Sequence, residues 1–195
     1  IQKNTKMFFI ETPTNPMMKV ADIHAVSEIA KGIGALTVVD NTFLTPYFQK
    51  PLTLGADIVT HSSTKYLGGH NDTISGIVVV KDDEEIAEKI NIHIKSHGSQ
   101  LAPLDSWLVL RGIKTLAVRM DKHNANAKKV AHWLREQKKV EKVYYVGFED
   151  HKDYDVTLKQ TTGFGGMISF TVDSEETVMK ILKNVDMIMF AESLG

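Results

Sequence analysis

The first half of the chain alternates between short apolar runs and stretches with a helical repeat. The runs of strand length lie at residues 7–10, 35–39, 56–60 and 76–80. Between the first two runs, apolar residues recur at helical spacing over 23–30, directly after Asp22, a suitable N-cap residue. Another helix is predicted at 84–94. Strands that alternate with helices predict an α/β domain with a mostly parallel sheet covered by helices.

The second half has a different pattern. Helices are predicted at 104–110, 120–139 and 175–184, and strands at 143–146 and 166–172, with a polar loop between these strands. On the longest helix, four residues are expected to face the core, namely Ala125, Val130, Trp133 and Leu134. We therefore predict a large sheet domain over residues 1–111 and a smaller α+β domain over 112–195.

Polar residues directly follow three of the predicted strands. Asn15 lies in a proline-rich loop after the first strand, Asp40 ends the second, and the segment 62–65 follows the third. Because α/β sheets bind ligands beyond the carboxyl ends of their strands, these positions mark the candidate site.

The composition narrows the classes of partner. The net charge is -1, which gives no electrostatic reason to expect nucleic acid or an acidic membrane surface as a partner. No apolar run approaches the roughly 20 residues that span a bilayer, and cysteine is absent. His93 and His97 are four residues apart but have no third ligand nearby, so no metal site is predicted. A cytoplasmic location fits this composition.

Three interpretations of Lys65 fit its surroundings, which include Ser62, Thr64 and two following glycines. The lysine either binds a phosphate group, or forms a Schiff base with an aldehyde cofactor whose phosphate the hydroxyl groups hold, or is an ordinary solvated loop residue. The spacing of a P-loop is missing. Asp40 favours the aldehyde cofactor, because a carboxylate at the end of an apolar strand needs a partner and a pyridinium nitrogen supplies one. An ordinary loop aspartate is the alternative.

Four ordered motifs carry a resemblance. They are Thr12-Pro13-Thr14-Asn15-Pro16, Val38-Val39-Asp40-Asn41-Thr42, the segment 61–70 and the segment 191–195. Together they resemble the Cys/Met-metabolism family of pyridoxal-phosphate enzymes, over essentially the whole chain. The resemblance implies an aspartate-aminotransferase-like (fold type I) domain that binds pyridoxal 5'-phosphate, followed by part of a smaller α+β domain.

The resemblance also implies roles for the cofactor-binding residues. Lys65 would be the catalytic lysine that holds pyridoxal phosphate, and Asp40 would pair with the ring nitrogen. Ser62 and Thr64 would bind the phosphate, and Asn15 would bind the ring oxygen of the cofactor or the carboxylate of the substrate.

The remaining implied features concern substrate and assembly. Ser193 would lie near Lys65 and the substrate carboxylate, with Glu192 beside it, and the substrate would be a small sulfur amino acid. Family members are typically tetramers, so a homotetramer with an active site shared between subunits is expected. The family's ring-stacking tyrosine and carboxylate-binding arginine have no counterpart in this chain, which we therefore expect to be an internal fragment.

The implied activity is that of a carbon–sulfur lyase of transsulfuration and methionine metabolism, acting on cystathionine by β- or γ-elimination. The same residues also serve γ-replacement, so a cystathionine gamma-synthase or an O-acylhomoserine sulfhydrylase is the alternative. A catalytically silent, truncated scaffold subunit is a third hypothesis. It would be colourless, whereas a protein that holds the cofactor is yellow.

Overall fold

The larger β-sheet carries the predicted site. A computed structural model describes residues 1–191 and 193. Four strands lie in chain order across this sheet: β1 (Met7–Glu11), β2 (Leu36–Asp40), β3 (Ile58–Ser62) and β4 (Gly76–Val80). The first three strands are parallel, and β4 pairs antiparallel with β3. The prediction of an α/β fold with a mostly parallel sheet is therefore confirmed.

Helices connect and follow these strands. The connections within the sheet contain α1 (Ile23–Gly32), α2 (Thr45–Phe48) and a short 3₁₀ helix (Pro51–Leu54). After β4 come α3 (Glu84–His97), α4 (Pro103–Ile113) and α5 (Leu116–Arg135). A second, two-stranded antiparallel sheet contains β5 (Val140–Tyr144) and β6 (Ser169–Val172), with α6 (Tyr154–Gln160) between them and α7 (Glu175–Asn184) after them. Within the described residues, no helix is both long and apolar enough to span a membrane.

The two faces of the larger sheet differ. Helix α1 begins at Asp22, whose carboxylate accepts a hydrogen bond of 2.9 Å from the main-chain N–H of Ala25. The buried side of α1 packs through Ile23 against Val39. Because side chains alternate along a strand, Asp40 lies on the opposite face, where Phe9 of β1 is 61% exposed.

The segment that follows the candidate lysine is anchored in a hydrophobic cluster. Tyr66 and Leu67 are buried there against residues from the loop after β2, from α5 and from the second sheet. Burial of a large apolar side chain contributes about 1.5–3 kcal/mol. The main chain of Lys65 is therefore positioned by the two buried side chains that come next.

Some expectations for the second half need correction. Of the four α5 residues expected to face the core, only Leu134 is buried. The other three are exposed, namely Ala125, Val130 and Trp133. The helix begins four residues earlier than predicted and buries a different face, through Leu116, Met120, Ala127 and Ala131. The contacts with the core, rather than the weak apolar periodicity of the helix, decide which face is covered. The loop between β5 and β6 contains α6. The predicted boundary at 111/112 falls within α4, and the division into two domains stays a prediction.

Candidate active site

The carboxyl ends of three parallel strands bring polar side chains to one edge of the sheet. Glu11 pairs in register with Asp40, and Asp40 pairs with Thr60, two residues before Ser62. Because residues two apart on a strand share a face, Glu11, Asp40 and Ser62 lie on the same face of the sheet.

The carboxylate of Asp40 is held by Thr42. Its Oδ1 accepts two hydrogen bonds, one of 2.9 Å from the main-chain N–H of Thr42 and one of 2.6 Å from the Thr42 hydroxyl. Among the described residues, no donor contacts Oδ2. Two donors on one oxygen fix the plane of the carboxylate, while the second oxygen remains available to a cationic N–H.

Thr42 also joins the ends of β2 and β3. The main-chain N–H of Ser62 donates a hydrogen bond of 2.8 Å to the Thr42 hydroxyl oxygen. That hydroxyl therefore donates to Asp40 and accepts from Ser62, and the side chain is buried. The orientation of the Asp40 carboxylate is thus coupled to the start of the lysine loop, which we define as residues 62–70.

Glu11 is a second carboxyl at this edge. Burial raises the pKa of Glu11, the charge of neighbouring Asp40 raises it further, and a hydrogen bond from the main-chain N–H of Asn15 offsets part of the increase. Two carboxyls on adjacent strand ends make this edge attractive to a cation.

Lys65 lies beyond the end of β3 and contacts Ser193. Its Nζ donates a hydrogen bond of 2.7 Å to Ser193 Oγ, although the two residues are 128 positions apart. Both line an open depression that also contains Thr64 and Asp105. The structure therefore brings Ser193 to the lysine, while the role of Ser193 toward a substrate stays a prediction. Glu192 lies outside the described residues.

The two predicted phosphate-binding hydroxyls have different surroundings. The Thr64 hydroxyl accepts a hydrogen bond of 2.9 Å from Ser75 N–H and donates to Ser75 O over 3.2 Å, so it is engaged with the segment before β4. Within the described chain, the Ser62 hydroxyl has no such partner. Ser62 and Thr64 line one depression, and Thr64 also lines the adjoining depression with Lys65.

Asn15 is exposed in the loop after β1. This loop is tied by hydrogen bonds from Met18 N–H to Thr14 O and from Thr14 N–H to Lys19 O, both of 2.9 Å. The Asn15 side chain has no partner among the described residues, and its role stays a prediction.

These groups fit pyridoxal phosphate by their chemistry. The edge offers a primary amine on Lys65, a carboxylate on Asp40 with one oxygen open to a donor, and the hydroxyl of Ser62, which lies on the same sheet face as Asp40. An aldehyde, a pyridinium N–H and a phosphate are the matching groups. Fold and site together define a class, the pyridoxal-phosphate enzymes with an α/β cofactor domain.

Comparison with known proteins identifies the family. The family model for Cys/Met metabolism PLP-dependent enzymes matches residues 1–195. The chain belongs to this family, as its motifs predict. Pyridoxal phosphate is the cofactor of the family.

Individual relatives differ in their reactions. The chain is 51% identical over 194 residues to the cystathionine beta-lyase of Lactococcus lactis subsp. cremoris, covering 100% of this chain and 51% of that protein. It is 50% identical over 195 residues to the cystathionine gamma-synthase/O-acetylhomoserine (thiol)-lyase of Bacillus subtilis, covering 100% and 48%. The crystal structure of the cystathionine gamma-lyase of Lactobacillus plantarum complexed with L-serine matches with a TM-score of 0.97 at 45% identity, covering 100% and 51%. The chain spans about half the length of the curated relatives it matches.

Sequence reasoning missed three residues of this site. Thr42 stands in a motif that was recognised, but its contact with Ser62 depends on the pairing of β2 with β3. Glu11 precedes a recognised motif, and its neighbour Asp40 follows from strand register. Ser75 carries no sequence signal, because its bonds to Thr64 exist only through the antiparallel pairing of β4.

Proposed function

We propose that this chain carries the lysine-bearing part of a pyridoxal-phosphate-dependent carbon–sulfur lyase that acts on cystathionine or a related sulfur amino acid. The observation that supports it is the arrangement at the sheet edge, where Asp40 ends β2 and Lys65 follows β3. The Thr42 hydroxyl bonds both the Asp40 carboxylate and the main-chain N–H of Ser62, at the start of the lysine loop. The relatives at about 50% identity act on the same class of compound by name.

Each residue has a proposed task. When bound, pyridoxal phosphate supplies an aldehyde that takes up amines and a ring that withdraws electrons from the α-carbon. Lys65 Nζ holds the cofactor and then moves the α-proton of the substrate. Asp40 binds the protonated ring nitrogen through its open oxygen, and Ser62 and Thr64 bind the phosphate. Ser193 holds the Lys65 amine in place through the 2.7 Å bond.

The substrate side of the proposal includes two further residues. Asn15 binds the ring oxygen or the substrate carboxylate, and Glu192 lies beside Ser193 near that carboxylate. We also propose that the whole protein is a cytoplasmic homotetramer whose active sites are shared between subunits, with a small-molecule substrate and neither nucleic acid nor membrane as partner. Size-exclusion chromatography with light scattering tests the assembly.

The direction of cleavage is tested by product analysis. If the α-proton leaves and the thiolate departs from the β-carbon, cystathionine and water give homocysteine, pyruvate and ammonia. A γ-elimination also moves a β-proton, and it gives cysteine, 2-oxobutyrate and ammonia. Because the proposed residues serve both routes, the keto acid released decides between them.

The second candidate function is γ-replacement, favoured by the 50% identity to the gamma-synthase of Bacillus subtilis. With an O-acylhomoserine and cysteine as substrates, a synthase forms cystathionine and releases the acyl group as a carboxylic acid. Borohydride reduction of the cofactor-loaded protein, followed by peptide mapping, tests both candidates at once. We expect the pyridoxal label on Lys65; a label on another lysine, or a colourless protein that takes no label, would contradict the proposal.

A further inference from the structure

The far end of the lysine loop is a tight turn that leaves main-chain carbonyls without helical partners. Gly68 N–H donates to Ser63 O over 2.9 Å and Gly69 N–H to Lys65 O over 2.7 Å. The turn ends at Gly69, whose φ of 66° is in the left-handed region. Lys65 is the last residue of the turn whose carbonyl accepts one of these bonds. The turn itself therefore supplies no N–H to the carbonyls of Tyr66 and Leu67, which come next.

The C-terminal end of α4 approaches the same turn. A Cβ on Gly112 would overlap the main-chain carbonyl of Gly68, so the two segments are in direct backbone contact there. The last carbonyls of a helix carry partial negative charge. Main-chain carbonyl oxygens of the turn and of the end of α4 that lie close together therefore repel, unless a donor group lies between them.

Arg119 of α5 supplies that donor group. Its guanidinium donates to Tyr66 O over 2.6 Å and to Gly112 O over 2.9 Å, with a longer contact of 3.5 Å to Leu67 O. Nε donates to the Thr115 hydroxyl over 3.0 Å, which fixes the side chain on its own helix. One side chain thus contacts carbonyls of the lysine turn and of α4 together.

The positively charged guanidinium of Arg119 bonds main-chain carbonyls rather than a carboxylate. Among the residues that the structure describes, no Asp or Glu lies within ion-pair distance of its guanidinium, whereas Arg135 of the same helix pairs with Asp150 over 2.8 Å. Gly69 also leaves room for the guanidinium, because a Cβ there would overlap it. The planar fork of an arginine can reach several acceptors at fixed angles, and a lysine cannot.

We propose that Arg119 is a positioning residue for Lys65, which clamps the lysine turn to the end of α4 through main-chain carbonyls and so fixes where the Lys65 amine stands. This inference rests on the proposed role of Lys65. Arg119 does not contact the reacting groups itself; it acts on the two residues that follow the lysine.

Hydrogen exchange of the cofactor-free protein that contains this chain tests the clamp without depending on activity. In Arg119→Met, the amides of residues 66–70 should exchange about tenfold faster or more, because bonds from a charged donor are lost. Arg135→Met is the matched control: it removes an arginine from the same helix, far from the turn, and should leave exchange at 66–70 unchanged. Equal exchange at 66–70 in the two variants would overturn the proposal.

A second variant at the same position keeps the test decisive if Arg119→Met does not fold. Arg119→Lys keeps the charge but loses the fork, so faster exchange confined to 66–70 supports the clamp, and exchange at the unsubstituted rate overturns it. In the loaded protein, Arg119→Lys should lower kcat more than it raises KM, because a misplaced amine affects the proton transfer. If borohydride instead labels a different lysine, the proposed function fails, while the exchange result on the turn stands independently.

Discussion

Replacing Thr42 by valine isolates the contact that ties Asp40 to the lysine loop. Valine keeps the shape of the buried side chain but has no hydroxyl. Asp40 Oδ1 would lose its 2.6 Å donor and keep only the 2.9 Å bond from the main chain, and Ser62 N–H would lose its 2.8 Å acceptor.

The size of the expected effects follows from the two hydrogen bonds that Thr42→Val removes. A hydrogen bond to a charged group contributes about 1.5–3 kcal/mol, so the dissociation constant of pyridoxal phosphate should rise about 10- to 100-fold if the orientation of Asp40 matters for binding. An unpaired N–H on the partly buried Ser62 should in addition lower the free energy of unfolding by about 1 kcal/mol, the lower end of the cost of an unsatisfied buried donor.

The assay is a titration of the cofactor-free protein with pyridoxal phosphate, followed by absorbance. Thr42→Ser keeps the hydroxyl and serves as the matched control, which should bind nearly as tightly as the unsubstituted protein. A double-mutant cycle with Asp40→Asn measures the coupling directly, since residues in one hydrogen-bond network have non-additive effects. Additive losses, or an equal loss in Thr42→Ser, would refute the role assigned to the Thr42 hydroxyl.

Three further predictions concern the same edge of the sheet. Lys65→Ala should abolish turnover while leaving the fold intact, as measured by keto-acid release and circular dichroism; residual turnover near the normal rate would show that another group moves the proton. Removing one partner of a fully buried charge pair costs about 3–5 kcal/mol, and the cost is smaller for Asp40 because its side chain is only half-buried. Asp40→Ala should therefore weaken cofactor binding about 100-fold. Burial holds the pKa of His61 below its ordinary value of 6.5, partly offset by the charge of Asp40 and a hydrogen bond to Asn41. As the pH falls below about 6.5, the unfolded chain therefore binds a proton that the folded chain resists, and the free energy of unfolding should decrease. His61→Gln should remove part of this decrease in denaturant titrations at several pH values, whereas His24→Gln, at an exposed position, should not; identical pH profiles for both variants would contradict the assignment.

Local patterns in the sequence determined the elements around the site. Apolar runs of strand length predicted all four strands of the larger sheet, and the Asp22 cap with its helical repeat predicted α1. The positions of Asp40 and Lys65 after strands followed from the same runs, because parallel strands end at one edge. The order of the motifs then indicated the family, since each motif is a contiguous segment that can be recognised without knowing the tertiary contacts.

Contacts between distant segments were decided only by the tertiary structure. The Thr42 hydroxyl reaches Ser62 because β2 pairs with β3, and Arg119 reaches Tyr66 because α5 packs beneath the lysine turn. The buried face of α5 was mispredicted for the same reason: its sequence is polar on most sides, so packing against Tyr66 and its neighbours, rather than periodicity, selected Met120 for the core. Hydrogen bonds and burial depend on which segments meet in space, and that is a property of the whole fold.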